Sequence, residues 1–233
     1  MAQRDYIIDR AMPMFVRQGI KAVRMDDIAQ ELGVSKRTLY EMFGDKEELL
    51  YLCLFRYMSL LHRYISSKSA DADNLLESIL AGFFEMTRYS DTNQRIMSNL
   101  RKFYPTVHER LSAELGRIGT ERFKNAIQTC IERGLLDGRV NIDLALTTLY
   151  HMASGIVTRK DIALPEGLSV REAFTSVVIM FFRGISTPEG MRIIDDFHKS
   201  ERFAAYAENR GADNILDDVI KQSEAAKNSV KKD

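Results

Sequence analysis

The stretch of residues 25–46 constrains the fold of this chain more than any other feature of its sequence. Ile28 lies on the apolar face of one short predicted helix, and Leu39 lies on the matching face of a second. Gly33 ends the first helix at a tight turn, and Ser35 is a favourable N-cap for the second. The pattern predicts a helix-turn-helix, a unit whose second helix enters the major groove of DNA.

The second helix of this unit presents side chains that suit DNA. Lys36, Arg37 and Thr38 lie in its first turn, the part of a recognition helix that reaches base edges. Lysine and arginine donate to guanine O6 and N7, and threonine offers a hydroxyl or a methyl contact. Tyr40, one turn along, is placed to hydrogen-bond a phosphate. Lys46 opens the next helix, whose free amides and positive dipole end suit another phosphate.

Residues 32–49 closely resemble the DNA-binding signature of the TetR (tetracycline-repressor-like) family of transcription regulators. The resemblance covers residues 5–50 specifically, and it covers the remainder only through the number and length of the predicted helices. It implies the same contacts that the residue chemistry suggests, namely bases through Lys36, Arg37 and Thr38 and phosphates through Tyr40 and Lys46.

Two residues depart from the family's pattern. The family usually has Thr or Ser at the position of Arg24, where that residue caps the helix and touches a phosphate. Arg24 cannot act as an N-cap, but its side chain can still reach a phosphate, and we include it among the predicted phosphate contacts. Pro13 lies inside the first predicted helix, from about Asp5 to Gln18, where proline costs ~3 kcal/mol. We therefore expect a kink there, or a helix in two pieces.

Helices are also predicted for the rest of the chain, because 233 residues contain only four prolines and 13 glycines. Ser66 to Asp73 is polar and is predicted to be a loop. The helical segments are predicted at about Asp45 to Leu61, Leu75–Tyr89, Asn93–Phe103, Thr106–Arg133, Ile142–Lys160, Ser169–Ile185, Met191–Phe197 and Ile215–Ile220.

The predicted fold class is therefore all-α. With the resemblance, it implies an N-terminal three-helix helix-turn-helix DNA-binding domain followed by a larger helical effector-binding and dimerisation domain. The expected bounds are residues 1–47 for the first domain and 48–198 for the second. Residues 199–233 are expected to form a C-terminal extension that is partly disordered, because the last residues are polar.

The last long predicted helix carries six consecutive apolar residues, 177–182. A helix that is apolar all round must be covered all round, and a second subunit is one possible cover. The resemblance implies the same arrangement, with a four-helix interface made by the last two long helices. The predicted interface residues are Ala153, Ile156, Val157, Val177, Val178, Phe181 and Phe182. The alternative is a helix that lies wholly inside its own chain.

An effector pocket in the larger domain is implied by the resemblance alone. Its candidate lining residues are large aromatic or methionine side chains, namely Phe83, Met86, Met97, Phe103, Tyr104, Phe123 and Tyr150. Ordinary core packing is the alternative for each of them, because such side chains at helical spacing are common core material.

Several other function classes find no support in the sequence. The formal net charge is zero, so an interpretation as a nucleic-acid-binding protein rests on local charge. Cys53, Cys130 and the four histidines lack metal-ligand or disulfide spacing, and we predict no metal and no cofactor. No catalytic or nucleotide-binding motif occurs, which argues against an enzyme. No apolar run reaches the ~18 residues of a membrane span, and the N-terminus lacks a signal-peptide pattern, so we expect a cytoplasmic protein.

The resulting hypothesis is a ligand-responsive DNA-binding transcriptional regulator. Repression is the family's usual mode, exerted by a homodimer on double-stranded DNA at a palindromic operator, with an unknown small-molecule effector. The alternative is a DNA-bound adaptor of the same fold that a protein partner controls. A closed apolar cavity in the larger domain would favour the first, and a packed core without one would favour the second.

Overall fold

The computed structural model describes residues 3–69, 74–87, 90–158 and 164–208. Every regular element within those ranges is a helix, which confirms the predicted all-α class, and one isolated β-bridge pairs Leu136 with Ser186. The helix predicted at Ile215–Ile220 lies outside the described residues, as do the last residues of the chain, which are predicted to be disordered. The eleven described helices are α1 (Gln3–Gln18), α2 (Met25–Leu32), α3 (Lys36–Phe43), α4 (Lys46–Ser69), α5 (Leu75–Thr87), α6 (Ser90–Phe103), α7 (Pro105–Glu132), α8 (Ile142–Thr158), α9 (Val170–Ile185), α10 (Pro188–His198) and α11 (Glu201–Glu208).

Two helices continue where the sequence predicted an interruption. α1 is one helix with Pro13 inside it, so of the two expectations the helix in two pieces is wrong and the kink stays a prediction. Ile7 and Phe15 on its buried face are each fully covered, and burying each of them contributes about 1.5–3 kcal/mol. Together the two side chains therefore offset the ~3 kcal/mol cost of the proline. α4 likewise runs on to Ser69, through the first part of the predicted loop.

The last described helix, α11, falls in the C-terminal extension that was expected to be partly disordered, at residues where no helix was predicted. Ser200 caps it, because its Oγ accepts a hydrogen bond from the backbone amide of Phe203 at 3.1 Å. The Phe203 ring packs edge-on against Phe84 and Phe197, with centroid distances of 5.4 and 5.8 Å. A cap and an aromatic anchor therefore order a segment that carries no strong apolar repeat.

The described residues form two compact units. The first contains residues 3–64 and 90–117, and the second contains 65–69, 74–87, 118–158 and 164–208. In the first unit α1 packs on α2, and α2 packs on α3. Arg56 of α4 binds Asp5 and Asp9 of α1 at 2.7 and 3.0 Å, which ties the long helix to the helix-turn-helix. The expected domain bounds at residues 47 and 198 remain predictions.

The core of the second unit contains the middle of α9. Val178 and Phe182 have no exposed surface in the single chain. The Phe182 ring contacts Phe83 and Phe123, with centroid distances of 5.9 and 6.3 Å. The chain's own core therefore covers that side of the apolar run, but Met180 in the same run is exposed, so the helix does not lie wholly inside its own chain. The predicted subunit interface itself stays a prediction.

Candidate nucleic-acid interface

The turn between α2 and α3 is built by local hydrogen bonds. Gly33 has φ 62° and ψ 29°, a left-handed conformation that a side chain would disfavour. The amide of Val34 donates to the carbonyl of Ala29 at 3.1 Å, which closes the end of α2. Ser35 Oγ then accepts from the amide of Thr38 at 3.0 Å and caps α3. These contacts set the direction in which α3 leaves the turn.

Arg24 stands at the N-terminal end of α2, where the family usually has a capping hydroxyl. The Arg24 side chain has no hydrogen-bond acceptor, so it cannot cap the helix. Instead the backbone amide of Arg24 donates a hydrogen bond to Asp27 Oδ2 at 2.8 Å. The Arg24 side chain is exposed and makes no ion pair among the described residues. Its guanidinium is therefore available to a phosphate.

The two cations in the first turn of α3 are each paired with a carboxylate. Lys36 Nζ lies 2.7 Å from Asp26, and this hydrogen bond raises the pKa of Lys36 above its ordinary value. Arg37 Nε donates to Glu41 Oε1 at 2.7 Å, although 87% of the Arg37 side chain is exposed. Exposed pairs of this kind contribute only ~0–1 kcal/mol, so a phosphate or a base edge can replace the carboxylate.

The remaining DNA-facing candidates on α3 also lie at its surface. Thr38 Oγ1 is 2.7 Å from Ser35 Oγ, so its hydroxyl takes part in the cap and its methyl remains for a base. Tyr40 is exposed, and its side chain makes no hydrogen bond among the described residues. The structure thus places Lys36, Arg37 and Tyr40 on the exposed side of one short helix, with Thr38 half-buried beside them.

Lys46 has a partner that the sequence did not reveal. Its Nζ donates to Tyr104 Oη at 2.9 Å and lies 5.3 Å from the centre of that ring. Tyr104, a candidate for the effector pocket, instead lies between α6 and α7 and contacts the first turn of α4. Glu48, also in the first turn of α4, pairs with Arg110, and the Arg110 guanidinium stacks 3.6 Å from the centre of the Tyr51 ring. Because 58 residues separate Lys46 from Tyr104, no local pattern signals this contact.

Phe103 likewise lies at the surface of the first unit, where it is 36% exposed. Lys21 Nζ is 4.6 Å from the centre of its ring, and Lys102 Nζ is 5.2 Å from it. Lys21 precedes α2 in the chain, and Lys102 belongs to the last turn of α6. Sequence reasoning missed both lysines as parts of a site, because only the folded chain brings them to one ring.

The other pocket candidates are dispersed. Phe83 and Phe123 meet edge-to-face at 5.5 Å in the core of the second unit. Met86 and Tyr150 are exposed, and Met97 is half-buried. An open crevice of about 200 Å³ in the first unit is lined by other residues, namely Phe15, Val16, Arg17, Gln18, Gly19, Ile20, Arg95, Ile96 and Asn99.

α8 and α9 pack against each other and expose large apolar side chains. Met180 is 67% exposed and Tyr150 is 70% exposed, and Leu144 and Val170 are also exposed. Of the predicted interface residues, Ile156, Val177 and Phe181 are half-buried, and the side chains of Ala153 and Val157 lie outside the described part of the structure.

Neither cysteine forms a disulfide, and both thiols are buried. Burial raises the pKa of the Cys130 thiol to about 11. Within the described ranges no group of three or more His, Cys, Asp or Glu side chains is arranged to hold a metal ion. None of the helices described there is long and apolar enough to cross a membrane.

Residues 7–51 match the family model described as bacterial regulatory proteins, tetR family. An uncharacterized HTH-type transcriptional regulator of Mycobacterium tuberculosis is 34% identical over 88 residues, which are 37% of this chain and 33% of that protein. The chain thus spans about a third of the length of that relative. The HTH-type transcriptional repressor KstR2 of Rhodococcus jostii is 26% identical over 157 residues, which cover 62% of this chain and 72% of the relative.

Among solved structures, a TetR-family transcriptional regulator from Pectobacterium atrosepticum has the same fold. The superposition has a TM-score of 0.62 at 19% sequence identity, and it covers 79% of this chain and 94% of the other. The likeness therefore extends over both described units, whereas the family-model match is confined to the helix-turn-helix and its flanking helices.

Proposed function

We propose that this chain, a member of the TetR family by its helix-turn-helix and its fold, is a transcriptional regulator that binds double-stranded DNA through α3. One observation carries the proposal. The residues that match the family model, 7–51, contain the capped turn that presents Lys36, Arg37 and Thr38 on the exposed first turn of α3. Those side chains hold the donors and the methyl group that base edges in the major groove require.

The contacts divide into those that read bases and those that position the protein. Arg37 is our first choice for a base contact, because its forked donors match guanine O6 and N7. Lys36 has a flexible stem and can turn to a phosphate instead. Arg24, Tyr40 and Lys46 are proposed to bind phosphates, which position the protein and carry no sequence information.

The second proposed property is homodimerisation through α8 and α9. Met180 and Tyr150 are large and mostly exposed, and exposed apolar patches commonly mark protein interfaces. In a two-fold dimer the same patch of each subunit meets its copy. We place the contact at the exposed side of α9 around Met180, with the half-buried Val177 and Phe181, because the protomer itself covers Val178 and Phe182.

Two-fold symmetry has a consequence for the DNA. Two copies of α3 that meet one face of the duplex lie about 34–36 Å apart, or a multiple of one helical turn. The operator is then an inverted repeat. Repression is proposed because KstR2 of Rhodococcus jostii, a relative that matches 62% of this chain, is named a repressor. A small-molecule effector would act by favouring a conformation in which the two copies of α3 no longer match the operator spacing.

Selection of binding sites from random DNA tests these proposals. The wild-type protein should enrich an inverted repeat, and Arg37→Ala should relax the preference at one base pair of each half-site, by ~1–3 kcal/mol. Arg192→Ala is the matched control, because Arg192 is also an exposed arginine paired with carboxylates on its own helix, but in the second unit. We expect that variant to select the wild-type consensus.

Each of the other possible results of this selection contradicts one part of the proposed function. No enrichment of any sequence would overturn specific DNA binding. A consensus without two-fold symmetry would overturn the symmetric dimer. An unchanged consensus for Arg37→Ala would overturn the base contact assigned to Arg37.

A further inference from the structure

The Phe103 patch consists of Phe103, Lys21, Arg101 and Lys102, which the fold brings together at the end of α6. The ring is partly exposed, and the Nζ atoms of Lys21 and Lys102 lie 4.6 and 5.2 Å from its centre. Cations are attracted to the face of an aromatic ring, so the ring positions both ammonium groups without neutralising them. Arg101, next in the same helical turn, is also exposed.

The charges of this patch differ from those of α3 in one respect. Lys21, Arg101 and Lys102 make no ion pair among the described residues, whereas Lys36 and Arg37 are each bound to a carboxylate. The patch therefore keeps its full positive charge while the protein is free. A partner with regularly spaced negative charge is the chemistry that such a surface fits.

The patch is continuous with the proposed phosphate contacts. Phe103 is followed directly by Tyr104, whose hydroxyl accepts the hydrogen bond from Lys46. Lys21 lies three residues before Arg24, at the N-terminal end of α2. Phe103 thus contacts Lys21, which precedes α2, and Tyr104 contacts Lys46, which follows α3. All of these residues belong to the first unit.

We propose that Lys21 and Lys102 bind the phosphate backbone of DNA outside the base pairs that α3 reads. This inference rests on the proposed DNA-binding function and adds a second, sequence-independent contact to it. Each phosphate that a lysine neutralises releases a condensed counterion, so the contact contributes to the dependence of affinity on salt. Because the two ammonium groups are held by a ring, they reach the backbone with little loss of side-chain freedom.

The test is the salt dependence of DNA binding by Lys21→Gln/Lys102→Gln. Affinity is measured at several salt concentrations for the selected operator and for an unrelated duplex of equal length. Because the proposed dimer carries each lysine twice, the slope of log K against log salt should become shallower by roughly 3.6, or about 0.9 for each of the four lysines, on both duplexes. The base preference should not change. The control Arg192→Gln/Lys199→Gln removes two positive charges from the second unit and should keep the wild-type slope.

The outcomes separate this inference from the proposed function. A wild-type protein that binds neither duplex overturns the proposed function. A wild-type protein that binds, together with an unchanged slope in the patch variant, overturns this inference alone. The lysine at the end of α6 also suits the negative end of the helix dipole, so a lower melting temperature with an unchanged slope likewise overturns it. If the double variant does not fold, Lys21→Gln alone decides, with an expected change of about 1.8 for the two copies of Lys21 in the dimer.

Discussion

On α3 the exposed side chains are charged and are held in pairs, Lys36 with Asp26 and Arg37 with Glu41. On α8 and α9 several of the exposed side chains are large and apolar, with Met180 and Tyr150 the most exposed of them. The pairs on α3 exchange one partner for another at little cost, because exposed ion pairs are weak. An apolar surface gains free energy only when it leaves water and stays out of it. The first chemistry suits a reversible partner such as DNA, and the second suits a lasting contact with another subunit.

The difference between the two regions also predicts that DNA binding and assembly can be altered independently of each other. Changes to α3 should alter DNA binding and leave assembly intact, and changes to the exposed side of α9 should do the reverse. The sequence treats residues 177–182 as one apolar run, but the structure divides it into covered and exposed positions. The largest expected effects therefore come from that helix.

Val178→Asp and Met180→Asp should differ completely, although they alter neighbouring positions. Val178 is fully buried, and an unpaired charge in such a dry site costs several kcal/mol, so the variant should not fold. Met180 is exposed, so Met180→Asp should fold and should sediment as a monomer. Circular dichroism and analytical ultracentrifugation measure the two results. Met86→Asp is the control, because Met86 is an exposed methionine of α5, and it should remain a dimer.

A folded dimer for Met180→Asp would contradict the proposed interface. A folded Val178→Asp monomer would show that the side chain meets a partner, in conflict with its burial in the single chain.

A moderate effect is expected for the phosphate contacts. Lys46→Ala and Tyr40→Phe should weaken binding to all DNA sequences about equally, because each change removes a positioning contact. Loss of the Tyr40 hydroxyl should cost about 1.5–3 kcal/mol for each subunit, the usual contribution of a hydrogen bond to a charged group. Tyr104→Phe is the matched control for Lys46, because it keeps the ring and removes only the hydroxyl that accepts the lysine's hydrogen bond. Competition assays on operator and unrelated DNA measure all three, and unchanged affinity in the first two variants would count against both assignments.

The smallest effect is expected from the carboxylates on the same surface. Asp26→Asn and Glu41→Gln free Lys36 and Arg37 and remove negative charge from beside the proposed DNA site. Each should strengthen DNA binding by up to about 1 kcal/mol, the upper value for an exposed pair. Glu189→Gln, which removes one of the two carboxylate partners of Arg192 in the second unit, should have no effect. Weaker binding by Asp26→Asn or Glu41→Gln would show that the carboxylates hold the cations in their binding geometry.

The sequence by itself was sufficient for the helix-turn-helix. Its signals are local, because the Ser35 cap joins residues three apart and the Gly33 turn joins residues within one helical turn. Such contacts depend on nearest neighbours along the chain, and for the same reason most helix ends were predicted to within a turn. α11 escaped prediction because the rings that anchor it come from α5 and α10.

Only the tertiary structure decided which side of α9 is covered and which partner Lys46 has. A helix that is apolar on every side contains no periodicity to show which residues its own chain will bury, so Val178 and Met180 are alike in sequence and opposite in exposure. Tyr104, 58 residues from Lys46, and the two lysines at Phe103 are brought together by the packing of α6 and α7 in the first unit. Long-range contacts of this kind depend on the whole core at once, and a pattern along the chain cannot specify them.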